Sequence, residues 1–424
     1  MSGRKEQKNF TRKAVSVQEA AHLVLERVRV MPTEEVPLMQ SIGRTLAVDL
    51  IAPQPIPHFR RSGMDGFAVV AADTGKASVG APVTLEIIDN VPAGKVSGKT
   101  VQPGRCIRIM TGAAVPEGAD AVIKYEMTTE EEAPDGMALC TVKGAVSAGE
   151  NVSAIGIEIA EKEAVLRQGV QIGAGEIALL AMFGIHKVQV YRRPKVAILA
   201  TGAELLRVEE ALVPGRVRNS NAYMLAAAIA SFGGIPVVLD QAPDDVDVAK
   251  RMILDALREH DVMATTGGVS VGDHDILYDV TQSWDGELLF NKVMMRPGSP
   301  TTFGVWQGKP VFALSGNPAA CYVGCRLFLR PALRGMLGAE LSPEPRVTAT
   351  LTEDYVKSDR FTRFVRGRMF EQDGKLMAAP VGYDMSSLTV SLRDANCLIC
   401  LPGSPSGYRA GSLVELIPLK GFYD

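Results

Sequence analysis

The chain has 424 residues, 46% of them apolar and 22% charged, with a formal net charge of −3. That is length for about three domains at an ordinary globular composition, and the near-balanced charge gives no general case for nucleic acid or an anionic membrane as partner. Met1 to Lys13 is basic and polar and lacks the apolar stretch of a secretory signal, and the best candidate span, Ile177 to Ile185, contains Gly184 and falls far short of 18 residues, so the expectation is a soluble cytoplasmic protein with no membrane partner.

The periodicity predicts a helix over Val15 to Val30, opened by Ser16 as N-cap with Glu19 three residues on as a capping box, carried by Ala20, Leu23, Val24 and Val28, and stopped by Pro32. A second helix is expected near Leu38 to Leu46. The cluster Pro53, Pro55, Pro57 excludes regular structure and marks a passage between domains. Residues 67 to 145 read as all-β, with short apolar runs and frequent turn signals such as Pro92-Ala93-Gly94 and Pro134-Asp135-Gly136. Gly149 to Leu166 and Gly175 to Gly184 then read as strand, loop and helix returning to the first helices.

From Val188 strands alternate with helices: 196–200, helix 220–232, 237–239, helix 246–259, 261–265, a helix near 275–283, 311–314, and a last helix from Pro318 to Leu337. This βαβ order predicts a mostly parallel, doubly wound sheet. Pro318 suits the first helical position, and Pro331 should kink or break the helix. After Pro343 short strands return: Arg346 to Thr352, Phe361 to Phe370, Leu376 to Ala379, Asn396 to Leu401 and Ser412 to Ile417. The domain reading is a discontinuous mixed domain (1–50 plus 146–187), an inserted β domain (51–145), an α/β domain (188–338) and a C-terminal small β-barrel domain (339–424). Six cysteines in a chain this size are no disulfide scaffold. Cys397 and Cys400 read as buried strand residues without a second pair at zinc spacing, and Cys321 and Cys325 as the core face of a helix.

The chemistry concentrates at strand ends. Asp261 to Ala264 runs into Thr265-Thr266-Gly267-Gly268-Val269-Ser270-Val271-Gly272-Asp273-His274-Asp275. Lys195 to Ala200 ends in Thr201-Gly202-Ala203-Glu204, and Pro310 to Leu314 ends in Ser315-Gly316-Asn317-Pro318. Ligands in open α/β sheets bind beyond the carboxyl ends of strands. Glycines there let backbone N–H groups approach an anion, and neighbouring acids suit the hard cation that accompanies phosphate. Any one Gly-rich loop is most often just a turn; three in one region make coincidence a poor account. Ser62-Gly63-Met64-Asp65-Gly66-Phe67 and Arg108-Ile109-Met110-Thr111-Gly112-Ala113, each bland alone, join this set. His58, His186 and His274 lack partners at metal spacing and read as hydrogen-bonded residues, with His274 a minor substrate contact at most.

Taken together these motifs, in this order along nearly the whole chain, closely resemble the molybdopterin molybdenumtransferases: MoeA in bacteria and the E domain of gephyrin in animals. The resemblance implies an α/β domain of the MogA-like kind and an elongated homodimer with the active site shared between subunits. It implies use of adenylylated molybdopterin and molybdate with release of AMP, and Mg²⁺ as the supporting ion. Asp65, Glu204, Asp244 and Asp275 match family acids and are the expected catalytic set, with Glu204, Asp244 and Asp275 the expected metal ligands. Asp244 also reads as a helix N-cap before helix 246–259. Thr111, Thr201, Gly202, Gly267, Gly268, Ser270, Gly272, Lys292, Arg296, Ser299, Gly316, Asn317, Pro318 and Arg366 are the expected substrate-binding residues, whereas Arg363 and Arg368 read as solvated strand charge. The chain departs from the family where Arg296-Pro297-Gly298-Ser299-Pro300 stands for Lys-Pro-Gly-Lys-Pro, and where Ser315 replaces the proline of Leu-Pro-Gly-Asn-Pro. The alternatives are a molybdopterin adenylyltransferase and a non-catalytic molybdopterin-binding scaffold. Further expected partners are the adenylyltransferase itself and cofactor-accepting apoenzymes.

Overall fold

A computed structural model describes residues 14–243, 245–267, 280 and 284–419. Contacts divide the chain into two compact units, one of Val48–Arg167 with Ala174–His186, the other of the remainder. In that two-way division residues 146–167 and 174–186 group with the β insertion. The cause is local packing: Ala164–Leu166 pairs with Leu50–Ile51, and Leu179 and Phe183 pack on Ala52, Ile56 and Ile159.

The chain opens with α1 (Val17–Leu25), whose capping box is formed as expected: Ser16 Oγ accepts from Glu19 N at 3.1 Å and Ser16 N donates to Glu19 at 3.4 Å. The helix stops at Leu25, five residues short of the reading, and Arg27 turns away to pair with Glu287 at 3.2 Å. Strand β1 (Thr33–Pro37) follows, then only a 3₁₀ turn, Leu38–Ser41, where a longer helix was expected. Ile42 is extended, and Gly43 lies at φ +72°, a conformation no helix continues through.

The smaller unit is built on a six-stranded sheet of β2 (Gly66–Val69), β3 (Val83–Val91), β4 (Arg105–Ile109), β5 (Ala121–Lys124), β6 (Thr128–Glu132) and β7 (Ala138–Val142), in spatial order β5-β2-β4-β3-β7-β6. All its pairings are antiparallel except β3 with β4. Alternation splits its apolar residues between two cores, Phe67 and Val69 in one, Ala68 and Val122 in the other. Helix α2 (Ala174–Met182) belongs to the same unit.

In the larger unit β8 (Lys187–Tyr191) pairs antiparallel with β1. The sheet that follows comprises β9 (Lys195–Ala200), β10 (Ile235–Val238), β11 (Val262–Thr266), β12 (Gly286–Phe290), β13 (Thr302–Trp306) and β14 (Lys309–Leu314), ordered β10-β9-β11-β14-β13-β12. The first four are parallel. The last two run antiparallel as an edge that the sequence reading did not contain. Helices α3 (Ser220–Ser231) and α4 (Val246–Glu259) sit on opposite faces: Val196, Ile198 and Ala200 pack toward α3 residues Leu225 and Ile229, while Ala197 and Leu199 meet α4 residues Ala249 and Ile253. The helix expected near 275–283 lies outside the described residues apart from Val280.

The last helix of this region is three pieces: α5 (Pro318–Gly324), a π turn (Cys325–Leu329) and α6 (Arg330–Met336). Pro331 has no N–H to give, and the wider turn just before it accommodates the missing bond without breaking the run. The final sheet closes as a five-stranded barrel of β15 (Val347–Leu351), β16 (Thr362–Gln372), β17 (Lys375–Pro380), β18 (Cys397–Leu401) and β19 (Leu413–Pro418), because β16 pairs with both β17 and β18. All six cysteines are buried, and burial pushes the thiols of Cys321, Cys397 and Cys400 up to about 12, as packing residues and not reactive ones. Among the described residues no helix is long and apolar enough to cross a membrane.

Candidate functional site

Parallel pairing sets the site. Ala200 of β9 stands opposite Thr266 of β11, and Thr266 opposite Leu314 of β14. The three loops that follow thus leave adjacent strands at one edge, with Thr201, Gly267 and Ser315 at their mouths. Cross-links between the loops are backbone and buried side chain. Thr201 N donates to Thr266 O at 3.0 Å and Gly267 N to Leu314 O at 3.2 Å. Gly267 sits at φ +89°, and a Cβ there would lie 2.4 Å from Thr201 O, so only glycine lets these two loops close on each other.

Asn221, in the first turn of α3, is the hub. Its Nδ2 donates to Thr266 Oγ1 at 2.9 Å and to Gly316 O at 2.8 Å, and Thr266 Oγ1 in turn donates to Ser315 O at 3.2 Å. Asn219 caps the helix by accepting from Ala222 N. Two buried oxygens here, Asn221 Oδ1 and Thr201 Oγ1, have no partner among the described residues; Thr265 Oγ1 has none either, but lies on the α4 face of the sheet, in register with Leu199 and Ala313. Such orphans are rare in native interiors and call for explanation. Asn221 and Thr266 were not among the expected substrate-binding residues; the one available signal was an asparagine inside a helix, a position that propensity disfavours.

Glu204 is exposed at the rim of the β9 loop. Gly202 lies at φ +141°, and a Cβ there would fall 2.6 Å from a Glu204 carboxylate oxygen, so glycine gives that carboxylate room over the loop. Its oxygen donors suit a hard divalent cation in kind. Among the described residues no group of three or more His, Cys, Asp or Glu is placed to hold a metal. Asp244, Gly268, Ser270, Gly272, His274 and Asp275 lie outside the described residues. The cap of α4 is Asp245, which accepts from Val248 N at 2.9 Å, not Asp244.

Of the remaining expected contacts, Asn317 and Pro318 open α5, with Asn317 N donating to Ser315 Oγ at 3.2 Å. Lys292 is half-buried in a short parallel pairing with Ala14. Ser299 spends its hydroxyl on Val293 O at 2.8 Å. Arg296 lies 3.4 Å from Asp359 and over the ring of Phe361.

Arg366 differs from its expected role. It is 1% exposed, and its guanidinium donates to Ser391 Oγ, Asp384 Oδ1, Tyr383 O and Met385 O at 3.0–3.4 Å. Those bonds occupy four of its five guanidinium N–H groups, so it holds a loop and has little left to present to a ligand. Arg363 is likewise no solvated charge, being paired to Asp384 at 2.9 Å and Asp359 at 3.1 Å; Arg368 is exposed as expected.

In the smaller unit, Asp65 is exposed and fixed by Thr111, whose N and Oγ1 both donate to Asp65 Oδ1, at 2.6 and 2.7 Å. Those two bonds, the backbone one first, hold its carboxyl below the usual range. Its loop is tied down from several sides: Ser62 Oγ donates to Met64 O at 2.5 Å, Gly63 N to Asn151 O at 2.8 Å and Gly112 N to Ser62 O at 2.8 Å. The two motifs read separately from the sequence are thus one constellation.

A doubly wound domain with a polar, glycine-lined strand edge, followed by a closed barrel and accompanied by a β unit carrying a fixed acid, defines a multidomain binding enzyme of the α/β class. Three family models match the chain: the MoeA N-terminal region (domain I and II) over residues 15–184, a "probable molybdopterin binding domain" over 197–335, and the MoeA C-terminal region (domain IV) over 348–419. Molybdopterin molybdenumtransferase of Bacillus subtilis is 43% identical over 96% of this chain and 95% of its own, and that of Staphylococcus epidermidis 40% over 96% of each. The crystal structure of the molybdopterin biosynthesis MoeA protein from Pyrococcus horikoshii superposes with a TM-score of 0.82 at 31% identity, over 96% of this chain and 100% of that one. The chain belongs to the MoeA family of molybdopterin molybdenumtransferases, enzymes of molybdenum cofactor biosynthesis.

Proposed function

We propose that the enzyme inserts molybdenum from molybdate into adenylylated molybdopterin and releases AMP. The observation that carries this reading is the row of three strand ends, tied by Thr201 N to Thr266 O, by Gly267 N to Leu314 O and by Asn221 to Thr266 and Gly316, with orphaned buried oxygens at Thr201 and Asn221. A substrate rich in phosphate oxygens and ring N–H groups supplies what such an edge lacks. Glycine loops beside it leave backbone N–H groups open to anions.

Glu204, with Asp244 and Asp275, would hold Mg²⁺, which would neutralise pyrophosphate oxygens. Gly202, Gly267 and the 315–318 loop orient the substrate. Asp65, kept ionised by Thr111, orients or deprotonates the water that breaks the P–O bond to AMP. We further propose that the enzyme is a cytoplasmic homodimer in which Asp65 serves the strand-edge site of the partner subunit, and that it receives substrate from the adenylyltransferase and delivers product to apoenzymes.

The test is AMP release from adenylylated molybdopterin and Mg²⁺, with and without molybdate. Molybdate-stimulated release, with product that activates a cofactor-free molybdoenzyme, is the expected result. No release under either condition from folded protein would reject the reading. ATP consumption with transfer of AMP onto molybdopterin would establish the adenylyltransferase instead.

A further inference from the structure

Away from the sheet edge, the barrel devotes a buried charge cluster to the loop 383–391. Asp384, its side chain 12% exposed, sits at the centre of that cluster. Its carboxylate accepts from the Tyr355 hydroxyl, from Arg363 Nη1 at 2.9 Å, from Lys357 Nζ at 3.3 Å and from Arg366 Nη1 at 3.4 Å. Three cations and a phenol thus converge on one acid. Burial alone would raise its pKa, but the Tyr355 hydroxyl and Lys357, with Arg366 behind them, outweigh burial and leave it below the usual range.

The acid lies within a short arc that Arg366 grips from both ends. Arg366 Nη2 donates to Tyr383 O at 3.1 Å and to Met385 O at 3.0 Å, the residues on either side of Asp384. The next residue, Ser386, gives its carbonyl to Ala319 N at 3.0 Å. Ala319 is in the first turn of α5, where backbone N–H groups have no acceptor within the helix. It stands three residues after Gly316, whose carbonyl is held by Asn221. A continuous run of named contacts therefore joins Asp384, through Arg366 and Met385–Ser386, to the 316–318 loop of the sheet edge.

We propose that Asp384 is a positioning residue: by neutralising buried Arg366 it holds the 383–386 arc on the first turn of α5 and so sets the geometry of the 316–318 loop. The inference rests on the reading that this loop binds substrate. Removing one member of a buried charged cluster leaves the others uncompensated and forces rearrangement. Here what rearranges is the arc that supplies Ala319 with its acceptor.

The experiment compares full-length wild type with Asp384→Asn, Asp384→Glu and the surface control Asp354→Ala, an acid paired with Arg409 elsewhere on the barrel. Amide hydrogen exchange is followed in peptides covering 316–324 and 381–392. Asp384→Asn is expected to accelerate exchange in both, Asp384→Glu to restore part of the protection, and Asp354→Ala to change neither. In the AMP-release assay Asp384→Asn is expected to raise KM for adenylylated molybdopterin roughly three- to tenfold with kcat nearly kept, a size typical of coupling through packed networks. If Asp384→Asn fails to fold, Tyr355→Phe removes a single donor to the same carboxylate and should give a smaller change in the same direction. Faster exchange confined to 381–392, with 316–324 unchanged, would overturn the proposal. A wild type that releases no AMP would reject the proposed function, and the exchange data would still decide whether Asp384 controls the loop.

Discussion

A carboxylate that must stay ionised can be held so by charge, by solvent or by hydrogen bonds, and Asp65 uses the last, both from Thr111. The backbone bond survives replacement of the Thr111 side chain by any residue but proline; the hydroxyl bond survives only in serine. In Thr111→Val the Asp65 pKa should therefore rise from its depressed value toward the ordinary carboxylate, about 3.9, and Thr111→Ser should leave it low. Carboxyl-carbon NMR titration measures it directly, and an unchanged pKa in the valine variant would refute the assignment. If the ionised form is the working one, the acid limb of the pH–activity profile moves to higher pH in Thr111→Val, because the carboxylate then takes up its proton sooner as pH falls. A second residue-scale prediction concerns Gly267. Its alanine variant combines φ +89° with a Cβ 2.4 Å from Thr201 O, and should cost about 1–3 kcal/mol in denaturant unfolding. Gly136→Ala, at φ +81° but with nothing within 4 Å of its Cβ, isolates the conformational part, and equal losses at the two positions would refute a steric role for Gly267.

At the scale of elements, the alternating region was legible because each signal was local. The apolar run 196–200, the amphipathic helix 246–259 and the glycines after Phe232 all specify their own structure, and the capping box at Ser16 formed as its residue types require. Ser16→Ala should therefore cost about 1 kcal/mol, read as a lower denaturant midpoint at unchanged slope; no shift would mean that tertiary packing alone fixes the start of α1. What was missed includes a local element: β13 (Thr302–Trp306) turns through Gln307 and Gly308 straight onto β14, and Gly286–Phe290 pairs in turn with β13. The end of α1 at Leu25 and the 3₁₀ turn at Leu38–Ser41 depart from local pattern. The site divides by distance in sequence. Glycine loops at strand ends announced Thr201, Gly202, Gly267 and Gly316, whereas Asn221 and Asp384 acquire their roles only when the helix start and barrel loop are brought against those ends. Arg366 shows the converse: its match to a family arginine suggested an anion ligand, and the acid that neutralises it lies 18 residues away in sequence.

For the whole molecule, the proposed reaction draws its fixed acid from one compact unit and its strand edge from the other, on different subunits. Each set is internally rigid: Asp65 is locked to Thr111, and the strand ends are locked through Asn221. Neither set completes the proposed reaction alone, since one has the fixed acid and the other the anion loops and Glu204. If the working site takes Asp65 from one subunit and Glu204 from its partner, then Asp65→Ala and Glu204→Ala homodimers are each inactive, but mixing them must generate one intact site per hybrid dimer. At equal mixing and random exchange about half of the dimers are hybrids with one of two sites restored, so activity should recover to roughly a quarter of wild type, as expected for an isologous two-fold assembly. Subunit exchange is verified with differently tagged chains before the assay. No recovery in exchanged hybrids would place both residues in the site of a single subunit, and an active Asp65→Ala homodimer would remove Asp65 from the chemistry altogether.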